Sequence, residues 1–231
     1  MDQLQLREKE IFAALRAVGK SEFVIIGGYA ASSYAPPRFS VDCDIVVKDK
    51  ETARGISSIL RQVGYNQVSA GTAEAAYGGS FERFEKELPN GFIASVDMLV
   101  GAVTDRGTLA VFSAGWVFEN SIVRNLRGKT IAEQLPLRIL KPDALFAMKA
   151  VSCRPTDIRD VFMLAPSVEG SEWVVREIAK RCNLQEKSDR ILKTVDSRQF
   201  RDGLQGVYGK LDSHTFDNHM KALKEVFSLL S

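Results

Sequence analysis

The sequence predicts an α+β protein whose front part, residues 1–140, is followed by a helical C-terminal domain, residues 141–231. Two observations predict it. Up to Leu140, short β-branched or alternating runs are interspersed with segments whose apolar residues recur every three or four positions; from Lys141 onward only the second pattern continues. No repeat, low-complexity tract or Ser/Pro-rich linker interrupts the chain, so the change of period alone marks the boundary.

In chain order, Leu4, Ile11, Leu15 and Val18 lie at helical spacing and the run stops at Gly19, which predicts an amphipathic helix. Phe23-Val24-Ile25-Ile26 is a fully apolar, largely β-branched strand ending in Gly27-Gly28, and a brief helix follows before Pro36-Pro37. Val41 to Val47 predicts a second strand. Asp49 is placed to N-cap a helix that carries Ile56, Ile59 and Leu60 to Gly64. Strands are then expected at Tyr65–Ser69, Phe81–Lys86 and Phe92–Val100, the last two joined as an antiparallel hairpin across Leu88-Pro89-Asn90-Gly91. Phe112–Phe118, Ser121–Leu126 and Leu137–Leu140 add short strands. Helices are expected at about 142–153, 157–164, 171–182, 187–200 and 214–229 from their apolar spacing.

A chain of 231 residues, 45% hydrophobic, can bury a proper core in one large or two small domains without metal or disulfide staples. Thirty-one Lys and Arg against 29 Asp and Glu leave a net charge of +2, which excludes a histone-like polybasic binder and an acidic tail. Cys43, Cys153 and Cys182 are odd in number and widely spaced, fitting reduced thiols better than a disulfide framework or a CxxC metal knuckle. No apolar run approaches the roughly 18 residues of a membrane span, and Met1–Glu10 is too charged for a secretory leader. A cytoplasmic protein without membrane partners is the expectation.

Three features of the front part carry chemistry: Gly27-Gly28 between a strand and a helix, Asp42-Cys43-Asp44 on the next strand, and Asp97 on a later one. Side chains alternate along a strand, so Asp42 and Asp44 share a face and Cys43 points away. Two such carboxylates suit Mg²⁺, which takes one or two of them together with waters and phosphate oxygens. Asp97 can bridge to a second metal and accept the proton of an attacking hydroxyl. Gly27 and Gly28 let backbone approach phosphates closely. Each signal is weak alone, since a Gly-Gly usually makes a tight turn and aspartates usually solvate a strand end. Here both aspartates lie between Val41 and Ile45-Val46-Val47, where carboxylates are costly unless a cation compensates them.

The stretch Ile26-Gly27-Gly28-Tyr29-Ala30, followed by Arg38-Phe39-Ser40-Val41-Asp42-Cys43-Asp44-Ile45, resembles the nucleotidyltransferase superfamily of polymerase-β type. Its closest flavour is the AbiEii-like branch, which includes the toxins of type IV toxin–antitoxin systems. A downstream helical motif of that branch is matched by Lys141-Pro142-Asp143-Ala144-Leu145-Phe146-Ala147-Met148-Lys149, then Arg154 and Arg159-Asp160. The similarity is confined to motifs within about residues 23–165. It implies a small mixed sheet flanked by helices, with the metal aspartates on neighbouring strands. The implied reaction is transfer of a nucleoside monophosphate from an NTP to an acceptor, releasing pyrophosphate, with Mg²⁺ (two ions, or Mn²⁺) as cofactor. By position, Asp42 and Asp44 would be metal ligands, Asp97 the third acidic residue and Lys149 a cationic contact to the triphosphate, while Arg38 and Ser40 would line the pocket or orient the Asp strand. Two departures stand out: Ile26 replaces the Lys that many relatives have before the glycines, and Cys43 replaces an Ile or Leu between the aspartates.

Plainer readings stand beside these. Lys149 flanks the apolar stripe of its helix, as a snorkelling lysine does. Arg154, Asp157, Arg159 and Asp160 can form a charge network at a helix start with Thr156 as N-cap. His214 and His219 are about 140° apart around a helix axis, which excludes a zinc pair there. Phe200, Tyr208, Phe216 and Phe227 pack a helical tail more readily than they stack on bases. Eight basic against four acidic residues from Arg176 to Arg201 are a solvated face by default, or a surface for an acceptor such as tRNA. A non-catalytic interaction module, perhaps bound to an antitoxin, and a small-molecule nucleotidyltransferase of the antibiotic-modifying sort remain the alternatives.

Overall fold

The structure is a computed structural model and describes residues 3–68, 80–209 and 211–228. It divides into two compact units, the first made of Met1–Ser33, Pro37–Thr104 and Val111–Leu140, the second of Tyr34–Pro36, Asp105–Ala110 and Lys141–Ser231. No described helix is long and apolar enough to cross a membrane.

In the first unit, α1 (Gln3–Val18) buries Ile11, Phe12, Leu15 and Val18. It is followed by β1 (Val24–Ile25), α2 (Gly27–Ala31), β2 (Asp42–Val47) and α3 (Lys50–Gln62). Asp49 caps α3 as expected, its carboxylate accepting from the Thr52 N–H at 2.8 Å. Next come β3 (Asn66–Val68), β4 (Ser80–Glu87), β5 (Ile93–Val100), β6 (Ala102–Thr104), β7 (Val111–Ser113), α4 (Ala114–Glu119), β8 (Ser121–Arg127) and β9 (Gln134–Leu140). Seven strands form one sheet in the order β3-β4-β5-β2-β1-β9-β8, with β2/β5 and β1/β9 parallel and the other neighbours antiparallel. This is the mixed sheet flanked by helices that the resemblance implied. β4 and β5 pair as the hairpin anticipated across Leu88–Gly91, where Gly91 takes a φ of +77°.

On one face of β2 and β5, Cys43, Ile45, Val96 and Met98 are all buried, and Phe84 of β4 joins them. Fully burying a side chain of this size contributes about 1.5–3 kcal/mol each, so this face anchors the sheet. α1 packs against β5 and α3. A buried carboxylate adds a polar clasp, since Glu8 accepts from the Lys129 N–H (2.6 Å), the Thr130 N–H (2.7 Å) and the Thr130 hydroxyl (2.5 Å). It ties α1 to the loop between β8 and β9.

The expected strand at Phe112–Phe118 is shorter and then changes type. It ends at Ser113, whose hydroxyl accepts from the Trp116 N–H (3.1 Å) and so starts α4; a local cap overrides the β propensity of the apolar run. The strand expected at Tyr65–Ser69 spans Asn66–Val68, with Tyr65 buried before it and Ser69 outside the described residues.

The second unit contains α5 (Pro142–Ser152), α6 (Pro155–Leu164), α7 (Ser171–Ala179), α8 (Leu184–Val195), α9 (Arg198–Tyr208) and α10 (Ser213–Phe227). The run expected as one helix at 187–200 is two, because the Ser197 hydroxyl accepts from the Phe200 N–H (3.2 Å) and opens a new helix. Thr156 is not the cap of α6, which starts at Pro155 with Arg154 before it; a proline at the first helical position needs no N–H partner. The last helix was expected to reach Leu229, which lies outside the described residues. Phe162 gathers Phe216 and Phe200 at centroid distances of 4.9 and 5.4 Å, and Phe146 meets Phe227 at 5.8 Å; Phe146, Phe162, Phe216 and Phe227 are core, and Phe200 is half-buried.

Asp105 organises the segment Asp105–Ala110. Its carboxylate accepts from the Thr108 N–H (2.8 Å) and hydroxyl (2.9 Å), the Ser152 hydroxyl (2.8 Å) and Arg154 (2.7 Å). Burial pushes its pKa up, but those donors together outweigh burial and hold it below the ordinary carboxylate range.

Two outcomes follow from these clasps. Glu8→Ala removes the charged acceptor of the part-buried hydrogen bonds from Lys129 and Thr130, so urea unfolding is expected to show a loss of about 1–3 kcal/mol. Asp105, depressed in the folded chain, contributes stability above the ordinary value of about 3.9 that is lost as pH falls through its folded pKa. Asp105→Asn is therefore expected to lower the Tm at pH 7 and to converge on the wild type in acid; a gap that stays constant with pH would contradict the assignment.

Candidate active site

The site grows from β2. Asp42 and Asp44 lie on the face opposite Cys43 and Ile45, both half-buried, while the Cys43 thiol is fully buried and its pKa is pushed up by burial. Parallel pairing with β5 sets Asp44 opposite Asp97 and Asp42 opposite Ser95, so all three aspartates share one face. Asp97 is 6% exposed.

The turn into α2 packs against the same strand. The Ile26 N–H donates to the Asp44 carbonyl at 3.0 Å, and Gly27 follows with a φ of +66°, a conformation that favours glycine. A Cβ at Gly27 would sit 2.0 Å from Asp44 Oδ2, so the absence of a side chain there makes room for the carboxylate. A Cβ at Gly28 would meet Ser40 Oγ at 2.4 Å and Arg38 Nη2 at 3.0 Å. Ser32 holds this arrangement by accepting from the Arg38 N–H (3.3 Å) and donating to the Gly28 carbonyl (3.1 Å). Gly27, Gly28, Arg38, Ser40, Asp42, Asp44 and Asp97 are thus brought together in the first unit. α2, at five residues, contributes a turn rather than an extended helix axis.

One residue of this face was not singled out from the sequence. Antiparallel pairing sets Arg83 of β4 opposite Asp97. Its guanidinium donates through Nε to Asp97 Oδ1 (2.7 Å) and through Nη2 to Asp97 Oδ2 (2.8 Å), and Nη2 also reaches Asp42 Oδ2 at 3.4 Å. Arg83 is held protonated chiefly by its hydrogen bond to Asp97. Asp42 nevertheless has a raised pKa, first from burial and then from the nearby Asp97 charge, with Arg83 and Arg38 offsetting only part of it.

Lys149 belongs to the second unit. It is 7% exposed, and its ammonium is held by Asp157 at 3.1 Å and by the buried Asp160 at 2.7 Å. The lysine that the resemblance assigned to a triphosphate, and that otherwise reads as snorkelling, is held between two carboxylates.

A metal ion suits part of this constellation. Two aspartate carboxylates on one sheet face are hard oxygen donors of the kind Mg²⁺ or Mn²⁺ takes. Among the described residues no three His, Cys, Asp or Glu side chains stand ready as a closed metal cluster, and Asp97 is paired with Arg83.

Solved structures supply the comparison. The chain is similar to MenT4, a nucleotidyltransferase toxin from Mycobacterium tuberculosis, with a TM-score of 0.61 at 14% identity, covering 99% of this chain and 85% of that one. The chain adopts a nucleotidyltransferase-like fold. JHP933 from Helicobacter pylori (TM-score 0.52, 14% identity, 100% and 94% covered) and an antigenic nucleotidyltransferase-like protein from Paracoccidioides brasiliensis (0.51, 16%, 94% and 98%) are similar over most of their lengths. No protein-family profile and no curated protein matches the sequence.

The packing of Gly27 against Asp44 is directly testable. Gly27→Ala forces a left-handed backbone that costs an L-residue roughly 1–2 kcal/mol, before its methyl collides with the Asp44 carboxylate. A drop of at least that size in unfolding free energy is expected; a neutral substitution would show that the cradle is not as described.

Proposed function

We propose that the protein is a metal-dependent nucleotidyltransferase that moves a nucleoside monophosphate from an NTP to an acceptor hydroxyl. The observation that carries this reading is the placement of Asp42, Asp44 and Asp97 on one sheet face with Asp44 lying against Gly27. The nucleotidyltransferase-like fold supports the class of reaction.

In the proposed reaction the acceptor oxygen attacks the α-phosphorus and a new P–O bond forms. The bond from the α-phosphorus to the bridging oxygen breaks, and pyrophosphate leaves. Asp42 and Asp44 would hold Mg²⁺, or Mn²⁺, which when bound neutralises phosphate charge. Asp97, fixed by Arg83, takes the acceptor proton; a carboxylate has about four lone-pair sites, so two Arg83 hydrogen bonds leave capacity for it. Gly28, bare of a side chain, lets Arg38 and Ser40 pack closely against it, and these would supply a cation and a hydroxyl to the nucleotide. Such chemistry is mostly positioning and charge neutralisation.

For the acceptor, we take RNA such as tRNA as the first candidate, from the eight basic against four acidic residues between Arg176 and Arg201. Likeness to a nucleotidyltransferase toxin makes a toxin role, with an antitoxin as protein partner, the matching biological setting.

The test is incubation with each labelled NTP, Mg²⁺ and total RNA. Wild-type protein is expected to label a discrete RNA species, and Asp42→Ala or Asp44→Ala to cut labelling by about a hundredfold or more. Labelling that survives both substitutions would remove these residues from the reaction.

A further inference from the structure

The residue on the acidic face that the proposed reaction uses least is Arg83, and its placement is asymmetric. Towards Asp97, whose side chain is 8% exposed, it makes two short parallel hydrogen bonds at 2.7 and 2.8 Å, the fork geometry that gives Arg–carboxylate pairs their strength. Towards Asp42, whose side chain is 36% exposed, the same Nη2 makes one long contact at 3.4 Å. The ladder pair Arg83↔Asp97 fixes where the guanidinium starts, so it cannot leave Asp97 without giving up a part-buried, bidentate, charge-assisted pair. Its hold on Asp42 is weaker and more hydrated. The two carboxylate contacts therefore yield in a definite order.

We infer that Arg83 is the resident counter-cation of this face, and that a divalent ion binds by displacing it from Asp42 while it stays on Asp97. Arg83 is then a positioning residue that sets metal affinity. With its positive charge in place the carboxylates alone attract a dication weakly, and the negative charge of a bound triphosphate is needed to complete the attraction. The site is built to load metal together with nucleotide rather than before it. The same pairing keeps Asp97 off the metal, so the first ion rests on Asp42 and Asp44. This inference rests on the reading of those two aspartates as metal ligands.

Calorimetric titration of the full chain with Mn²⁺ alone, without nucleotide, separates the possibilities. Removing one positive charge a few ångströms from a dication, even at the dielectric of water, corresponds to about a tenfold change in affinity. Arg83→Gln is thus expected to bind Mn²⁺ about tenfold or more tightly than wild type, and Arg83→Lys, which keeps the charge but loses the fork, to stay within about threefold of wild type. A gain of affinity is a result that general loss of structure would not produce. If Arg83→Gln does not fold, Arg83→Met, which keeps the aliphatic stem without the charge, is read by the same criterion. Affinity unchanged or weakened in the neutral variant, with binding still abolished by Asp42→Asn, would overturn the role of Arg83 and leave the metal reading standing. Absence of Mn²⁺ binding in every variant, with or without NTP, would overturn both.

Discussion

Parallel pairing of β2 with β5 is the constraint on which the acidic face depends. Ladder partners in a sheet point the same way, so setting Asp44 opposite Asp97 and Asp42 opposite Ser95 collects three carboxylates on one side and leaves Cys43, Ile45, Val96 and Met98 to fill the other. A slip of one residue would turn Asp97 into the apolar layer and bring Val96 to the carboxylates. The apolar layer therefore specifies the register of the chemistry-bearing one.

Holding three carboxylates on one face raises an electrostatic problem that the surrounding residues solve only in part. Arg83 answers Asp97 with two short hydrogen bonds and touches Asp42 with a third, and Arg38 adds a further positive charge nearby. Asp42 still resists ionisation, because burial and the Asp97 charge outweigh both cations. Gly27 contributes in another way. With no Cβ to exclude it, the Asp44 carboxylate lies against backbone instead of being forced out to solvent. The result is a face whose shape is settled before any ligand arrives and whose charge is not.

Much of this was legible from residue order. The β-branched run before Gly27-Gly28, the apolar flanks of Asp42-Cys43-Asp44 and the cap at Asp49 each state their local structure, because each depends on neighbours a few positions away. The hairpin even encodes Arg83: counting outward from the Leu88–Phe92 closure places Arg83 opposite Asp97. That signal passes unnoticed unless the register is followed through, since an isolated Arg in a Glu-rich strand reads as a solvated edge. The misread elements share a cause. Ser113 and Ser197 each cap a helix with a hydroxyl inside a run whose periodicity suggested something else, and one side-chain hydrogen bond decided between two backbone states of similar propensity. The surroundings of Lys149 were illegible for a different reason, because the partners that hold it depend on how α5 and α6 pack.

That cluster also clarifies the first unit by contrast. Around Lys149 the compensating cation is covalently part of the chain, buried between Asp157 and Asp160 at 3.1 and 2.7 Å, and Asp160 is 1% exposed. A lysine enclosed in this way is stabilised by its own two carboxylate partners. On the β2 face the geometry is opposite. Asp42 is a third exposed, its guanidinium contact is long, and its carboxyl remains raised in pKa with every neighbour in place. Replacing Asp42 and Asp44 by apolar residues would relieve that cost without disturbing the layer beneath. Asp42 and Asp44, held half-open beside a bare glycine turn, are therefore the groups to which the proposed reading assigns a cation and phosphates arriving from solvent.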